Sequence, residues 1–179
     1  MSSLPITSER LILDRHTVDD ARDLFAYRSD PKTAAQLSWR PESVADAERL
    51  IEEKGRLEFD TPGTWFQLAI RVKASGTLVG DVGLHFLKKS PRQVEIGYTL
   101  SRQHRGKGYA TEATRAVIDH CFRVLGKHRI TASVDPRNTA SIALLERLGL
   151  RKEAHFRQSL WWKGEWVDDV IYAVLASEW

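Results

Sequence analysis

The sequence predicts a mixed α/β sandwich, one sheet with helices packed on it, and three observations carry that expectation. Segments of period two alternate with segments of period 3.6, in the order β-α-α-β-β-β-α-β-α-β-β. The short stretch Ala74-Ser75-Gly76-Thr77 joins two strand-like segments closely enough to form a hairpin. After Gly108, apolar side chains recur at i, i+3, i+4 and i+7 with charges opposite, as in a helix with one side on a sheet. No repeat, low-complexity block or linker interrupts the 179 residues, so one domain over 1–179 with one core is expected.

Each element follows from its own residues. Leu11 and Leu13 alternate with polar neighbours between Ser8 and His16, which reads as a strand. From Val18 the pattern turns helical, with Ala21, Leu24 and Phe25 on one face and Thr17 or Asp19 as cap, until Asp30-Pro31 breaks it. A second helix starts from Ser43 as cap and runs through Ala47, Leu50, Ile51 and Leu57 to the Thr61-Pro62-Gly63 turn. Strands follow over Trp65 to Val72, Leu78 to Leu87 and Val94 to Leu100. In the last of these, Val94, Ile96, Tyr98 and Leu100 share a face, with Glu95, Gly97 and Thr99 on the other. The long helix carries Ala110, Ala113, Val117, Ile118, Cys121, Phe122 and Leu125 on its apolar side and ends at Gly126. Arg129 to Val134 reads as a strand, and Asn138 to Leu148 as a short helix closed by Gly149. The tail reads as a hairpin of Leu150 to Leu160 and Trp166 to Leu175 around Lys163-Gly164-Glu165.

Composition narrows the function. Net charge is only +3 and no long Lys/Arg run exists, so nucleic-acid binding is not expected. One cysteine, Cys121, excludes an internal disulfide framework and a zinc site of several thiolates, and its place on an apolar helix face predicts core packing. The six histidines lack metal spacing, so no metal is expected. No apolar run approaches a membrane span, and Met1-Ser2-Ser3-Leu4-Pro5 lacks a signal-peptide pattern. A cytoplasmic protein without a membrane partner is the expectation.

The most informative segment is Gln103-His104-Arg105-Gly106-Lys107-Gly108-Tyr109-Ala110-Thr111, between a strand and the long helix. Glycines let the backbone turn sharply there, and the first amides of a helix point outward with partial positive charge, an arrangement that binds phosphates. Arg105 and Lys107 add cationic charge where a pyrophosphate would sit. A dinucleotide fingerprint fails, because Thr111 stands where its third small residue belongs; a P-loop fails, because Gly108 follows Lys107 and position 101 is Ser. Two isolated glycines could equally make a tight turn and nothing more.

Gln-x-x-Gly-x-Gly at such a junction resembles the acyl-CoA pyrophosphate loop of the GNAT superfamily of N-acetyltransferases. Glu95-Ile96-Gly97-Tyr98-Thr99-Leu100 upstream, and Asn138-Thr139-Ala140-Ser141 with Leu145-Glu146-Arg147-Leu148-Gly149 downstream, are similar to the RimJ/RimL-type branch. So are the opening Thr7-Ser8-Glu9-Arg10-Leu11 and the closing Trp166-Val167-Asp168-Asp169. The resemblance implies a GNAT-like domain with a central mixed, mostly antiparallel sheet flanked by helices on both faces. It implies transfer of an acetyl group from acetyl-CoA to a primary amine by direct attack in a ternary complex. The acceptor is a protein N-terminal amine or a small amine, and a homodimer is compatible with the branch. The strand containing Thr99 and Leu100 would supply backbone groups to the pantetheine and thioester, and Arg105, Gly106, Lys107, Gly108, Tyr109, Ala110 and Thr111 would hold the pyrophosphate. Glu95 would be the general base, Asn138 would contact the pantetheine arm, and Ser141 would donate to the departing thiolate. Each has a plainer reading: an ion-paired strand residue, a helix cap and a helix serine.

Many GNAT enzymes carry a tyrosine as general acid where this chain has Leu145, which leaves the general acid unassigned. Trp39 lies in the helix-to-helix region that covers the acceptor in this fold, and His85 lies opposite the apolar face of its strand, so both are candidate acceptor residues. Trp161, Trp162, Trp166 and Trp179 are expected to cluster at the C-terminal hairpin, as core or as cleft wall. The competing function is a catalytically silent acyl-CoA-binding regulatory module, which Leu145 favours and which Glu95 and Ser141 oppose.

Overall fold

The computed structural model describes residues 4–179; Met1, Ser2 and Ser3, part of the stretch read for a signal peptide, lie outside the described residues. The strands are β1 (Ile6–Thr7), β2 (Leu11–Arg15), β3 (Thr64–Val72), β4 (Leu78–Phe86), β5 (Gln93–Leu100), β6 (Arg129–Val134), β7 (Arg151–Trp162) and β8 (Glu165–Leu175). The helices are α1 (Ala21–Ser29), α2 (Pro31–Ala34), α3 (Val44–Gly55), α4 (Tyr109–Arg123) and α5 (Thr139–Arg147). The strands make one eight-stranded sheet, β1-β2-β3-β4-β5-β6-β8-β7, in which only β5 and β6 run parallel. This is the mixed, mostly antiparallel α/β architecture read from the sequence.

Local chemistry moves some boundaries. The strand expected from Ser8 begins at Leu11, because the Ser8 amide donates to the Leu11 carbonyl at 3.0 Å and turns the chain between β1 and β2. Asp30-Pro31 ends α1 and at once starts α2, since the Asp30 carboxylate accepts from the Thr33 amide at 3.0 Å and Pro31 occupies the first helical position. The C-terminal hairpin extends to Trp162 and closes over Lys163 and Gly164, both at positive φ, as a two-residue turn with right-handed strand twist requires.

The sheet separates two cores. On one face, Val82, Leu84, Phe86, Val94, Ile96 and Ile130 pack against Val117, Ile118 and Cys121 of α4 and Leu144 and Leu145 of α5. On the other, Ala69 and Leu78 meet Ala21, Leu24 and Tyr27 of α1 and Ala47 and Ile51 of α3. A polar anchor lies in this second layer. Arg28 grips Asp81 of β4 through Nη2–Oδ1 at 2.7 Å and Nε–Oδ2 at 3.1 Å, and the Tyr27 hydroxyl donates to the same carboxylate. All three side chains are buried.

The break in the sheet positions the site. β5 stays paired with β4 along its length, but it pairs with β6 only where residues 93–95 meet residues 129–131. Beyond Glu95 and Thr131 the strands diverge, because β6 follows β8 through Val134. Residues 96–100 therefore have no strand partner on the side toward β6. Behind this gap stands the start of α5.

Candidate active site

A cavity of about 980 Å³ fills the gap and opens onto the α1–α3 face. Glu95 sits at its apex, at the last pair that still joins β5 to β6. One register row crosses three strands as Trp65, His85 and Glu95. The Trp65 and His85 rings stack at 4.8 Å and 13°, and His85 Nδ1 lies 3.5 Å from Glu95 Oε2. Glu95 is half-buried and has no lysine or arginine partner among the described residues. Beside it, Gly97 leaves bare backbone, since a Cβ there would meet nothing within 4 Å.

The opposite face of β5 meets α5. Asn138 caps that helix, its Oδ1 accepting from the Ser141 amide at 3.1 Å, and its Nδ2 donates to Gln36 Oε1 at 3.3 Å. The Tyr98 Oη lies 2.7 Å from Ser141 Oγ and 3.2 Å from the Ser141 carbonyl oxygen, so phenol and hydroxyl form one hydrogen-bonded pair at the cavity wall. Burial pushes the Tyr98 phenol up to about 12, against the opposing bond from Ser141. At neutral pH Tyr98 is a protonated donor.

At the other end of β5, Gly106 and Gly108 adopt left-handed φ values of +78° and +81°, and Gly108 is the N-cap of α4. Among the described residues, the amides of Gly106, Lys107 and Gly108 donate to no carbonyl or side chain. With the unpaired first-turn amides of α4 they form an anion-binding concavity. Arg105 does not point there: its Nε donates to the Leu100 carbonyl at 3.2 Å and its Nη2 to Thr33 Oγ1 at 2.8 Å. The guanidinium fork finds two fixed acceptors between β5 and α2, which corrects its expected place over the loop. Lys107 stays exposed.

The model of the acetyltransferase (GNAT) domain matches residues 10–151 of this chain. The chain belongs to the GNAT acetyltransferase family. This GNAT chain is 34% identical over 172 residues to the uncharacterized N-acetyltransferase p20 of Bacillus licheniformis, covering 96% of each. It is 37% identical over 123 residues to the [ribosomal protein uS5]-alanine N-acetyltransferase of Escherichia coli, covering 68% of this chain and 63% of that one. Among solved structures it resembles Mycobacterium smegmatis RimJ in complex with CoA-disulfide, with a TM-score of 0.81, 25% identity, and coverage of 94% and 83% of the two chains.

Of the residues singled out in the sequence of this acetyltransferase, Glu95, Thr99, Asn138, Ser141 and Trp39 line the one cavity. His85 lies beside Glu95 but outside the lining, and Leu100 contributes its carbonyl to Arg105 instead. Gly106, Lys107, Gly108, Tyr109, Ala110 and Thr111 form the separate loop at the end of β5. Cys121 is fully buried, and its thiol is pushed up to about 12 by that burial. The expected tryptophan cluster divides. Trp162 lines the cavity, Trp161 and Trp166 are 62% and 57% exposed, and Trp179 packs on α4 with its Nε1 donating to Asp119 at 2.9 Å. Sequence reasoning missed Tyr98, Trp65 and Arg10. The available signal for Tyr98 was a phenol among aliphatic neighbours, which needs a partner once buried.

Proposed function

We propose that this chain is an acetyl-CoA-dependent N-acetyltransferase that moves the acetyl group from the CoA thioester to a primary amine by direct attack in a ternary complex. The observation that carries this reading is the gap between β5 and β6, with a carboxylate at its apex and a loop of free amides at its end. Its residues fit the group. The amides of Gly106, Lys107 and Gly108, with those of Tyr109, Ala110 and Thr111, take the pyrophosphate; the edge of residues 96–100 takes the pantetheine amides; and Asn138 borders that path. Acetyl-CoA supplies an activated acyl group on a leaving thiolate.

An alkyl ammonium has a pKa near 10 and must lose a proton to form the amide. The bound ammonium first gives one proton to solvent. Glu95 holds the neutral amine and accepts its next proton, directly or through water, as the bond to carbon forms and the nitrogen becomes acidic. The displaced thiolate takes a proton from solvent. Ser141, tied to Tyr98, faces the departing sulfur. A phenol near 12 does not surrender its proton to a thiolate of ordinary pKa about 8.5, so the pair stabilises the sulfur by hydrogen bonding. This gives a role to the position behind the cavity even though Leu145 replaces the usual tyrosine and is buried in the core.

The acceptor is an amine with an apolar body, since Trp39, Trp65, Trp162 and Leu160 wall the cavity on the Glu95 side. The likeness to the uS5-alanine enzyme supports a protein N-terminal amine, and a small amine is the other class. The chain acts as one domain over 1–179, in the cytoplasm where acetyl-CoA is formed and used. The test is calorimetric titration of acetyl-CoA into the wild-type chain and Gly108→Glu. Binding by the wild type, and none by a variant that still melts cooperatively, is the expected result. Equal affinity would overturn the pyrophosphate assignment.

A further inference from the structure

Arg10 lies outside the cavity and belongs to the opening Thr7-Ser8-Glu9-Arg10-Leu11 stretch, to which no role has been given, yet it converges on the anion loop. Its Nη1 donates to the Lys107 carbonyl at 3.0 Å, its Nε donates to Glu112 Oε2 at 2.7 Å, and its guanidinium lies 4.8 Å from the Tyr109 ring centroid. A Cβ on Gly108 would come within 3.2 Å of its Nη2. Glu112 is further held by the Arg10 amide and the Ser8 hydroxyl, both at 2.7 Å to Oε1.

Two consequences follow. The peptide unit is planar and trans, so pinning the Lys107 carbonyl toward Arg10 aims the Gly108 N–H the opposite way, into the concavity. Glu112 stands in the first turn of α4, where a free carboxylate would compete with a phosphate for the positive helix end. Arg10 and Ser8 hold that carboxylate against β2 and the preceding turn, and offset its charge. Burial would raise the Glu112 carboxyl, but the bonds from the Arg10 amide, Ser8 and the Arg10 side chain outweigh it and keep the group below its ordinary range.

We propose that Arg10 is a positioning residue for the cofactor: it orients the Lys107–Gly108 peptide and neutralises Glu112, so that the loop accepts a pyrophosphate. The inference rests on the acetyl-CoA reading above. It explains why the turn between β1 and β2 carries an arginine that no substrate atom needs to touch.

The test is calorimetry with CoA on the wild-type chain, Arg10→Ala, Arg10→Lys and the double variant Arg10→Ala/Glu112→Gln, with thermal melts alongside. Arg10→Ala should weaken CoA about tenfold. Arg10→Lys should fall between the two, since an ammonium cannot span Glu112 and the Lys107 carbonyl together. The double variant should recover several-fold over Arg10→Ala, because the unpaired carboxylate is gone. A purely structural role would give no such recovery. Affinity within twofold of wild type for Arg10→Ala, or a double variant no tighter than the single one, would overturn the proposal. If Arg10→Ala fails to melt cooperatively, Arg10→Lys decides, with unchanged affinity as the contrary result. No binding of CoA by the wild-type chain would instead overturn the acetyl-CoA reading, and the inference with it.

Discussion

Glu95 draws its meaning from its address: the last paired residue before β5 leaves β6, on the face away from α4, with the His85 ring beside its carboxylate. Glu95→Gln keeps the shape and removes the base. Turnover should fall by about a hundredfold, the scale of general base catalysis, while CoA affinity stays within twofold by calorimetry. Tyr98 makes a separable prediction. Tyr98→Phe removes the partner of Ser141 Oγ, so kcat should drop roughly two- to tenfold, as loss of one hydrogen bond between neutral groups implies. Acceptor KM should be unaffected, because the phenol faces α5 and the acceptor walls lie on the other side of β5. Equal losses in kcat/KM for every acceptor would fit this; a change confined to acceptor KM would contradict it. Cys121, by contrast, should react with thiol reagents only on unfolding, given its burial and raised thiol.

Among the elements, α1 and β4 are joined by the most demanding contact. Asp81 is shared by Arg28 and Tyr27 in a nearly dry setting, and Arg28 also lies 4.8 Å from the Trp39 ring centroid. Asp81→Asn leaves a buried guanidinium without its anion, so a loss of about 3–5 kcal/mol is expected by chemical denaturation. The strand and helix periodicities were legible because each amphipathic segment buries one face: Val94 and Ile96 on β5, Val117 and Cys121 on α4. Glu95 and Asn138 were singled out through the family resemblance rather than through spacing, and the structure puts both on the cavity. What could not be read is long-range placement. Nothing local tells that Arg105 turns to Leu100 and Thr33, that Arg10 reaches across about a hundred positions to Glu112, or that Trp179 leaves the hairpin for Asp119. Each of these depends on which elements become neighbours, and side chains choose partners only after the sheet order exists. The hairpin tryptophans show the same limit: core or cleft-wall places were expected of them, but the β7–β8 hairpin ends the sheet, and Trp161 and Trp166, on its tip, are exposed.

For the molecule as a whole, acidity is the sharpest probe of stability. Asp20, Glu112, Asp135 and Glu153 hold their carboxyls below the ordinary range. Asp20 does so despite burial that would raise it, because Arg71 and the Thr17 amide hydrogen-bond its charged form and the His16 ring lies close to it. The unfolded chain therefore takes up protons first. Stability from these groups is fully present above the unfolded pKa of about 4 and is lost as pH falls through the lower folded values. The melting temperature should drop steeply below about pH 4, and Asp20→Asn should flatten that acid limb while lowering stability at neutral pH. The central claim, that this fold brings a base and an acyl donor to one amine, is tested most directly by thiol release from acetyl-CoA. The acceptor panel holds peptides of varied N-termini, polyamines, aminoglycosides and free amino acids, with wild type and Glu95→Gln side by side. Release that depends on the acceptor, and that slows about a hundredfold in Glu95→Gln at unchanged CoA affinity, is the predicted result. Release indifferent to the acceptor, or equally fast in the variant, would contradict it.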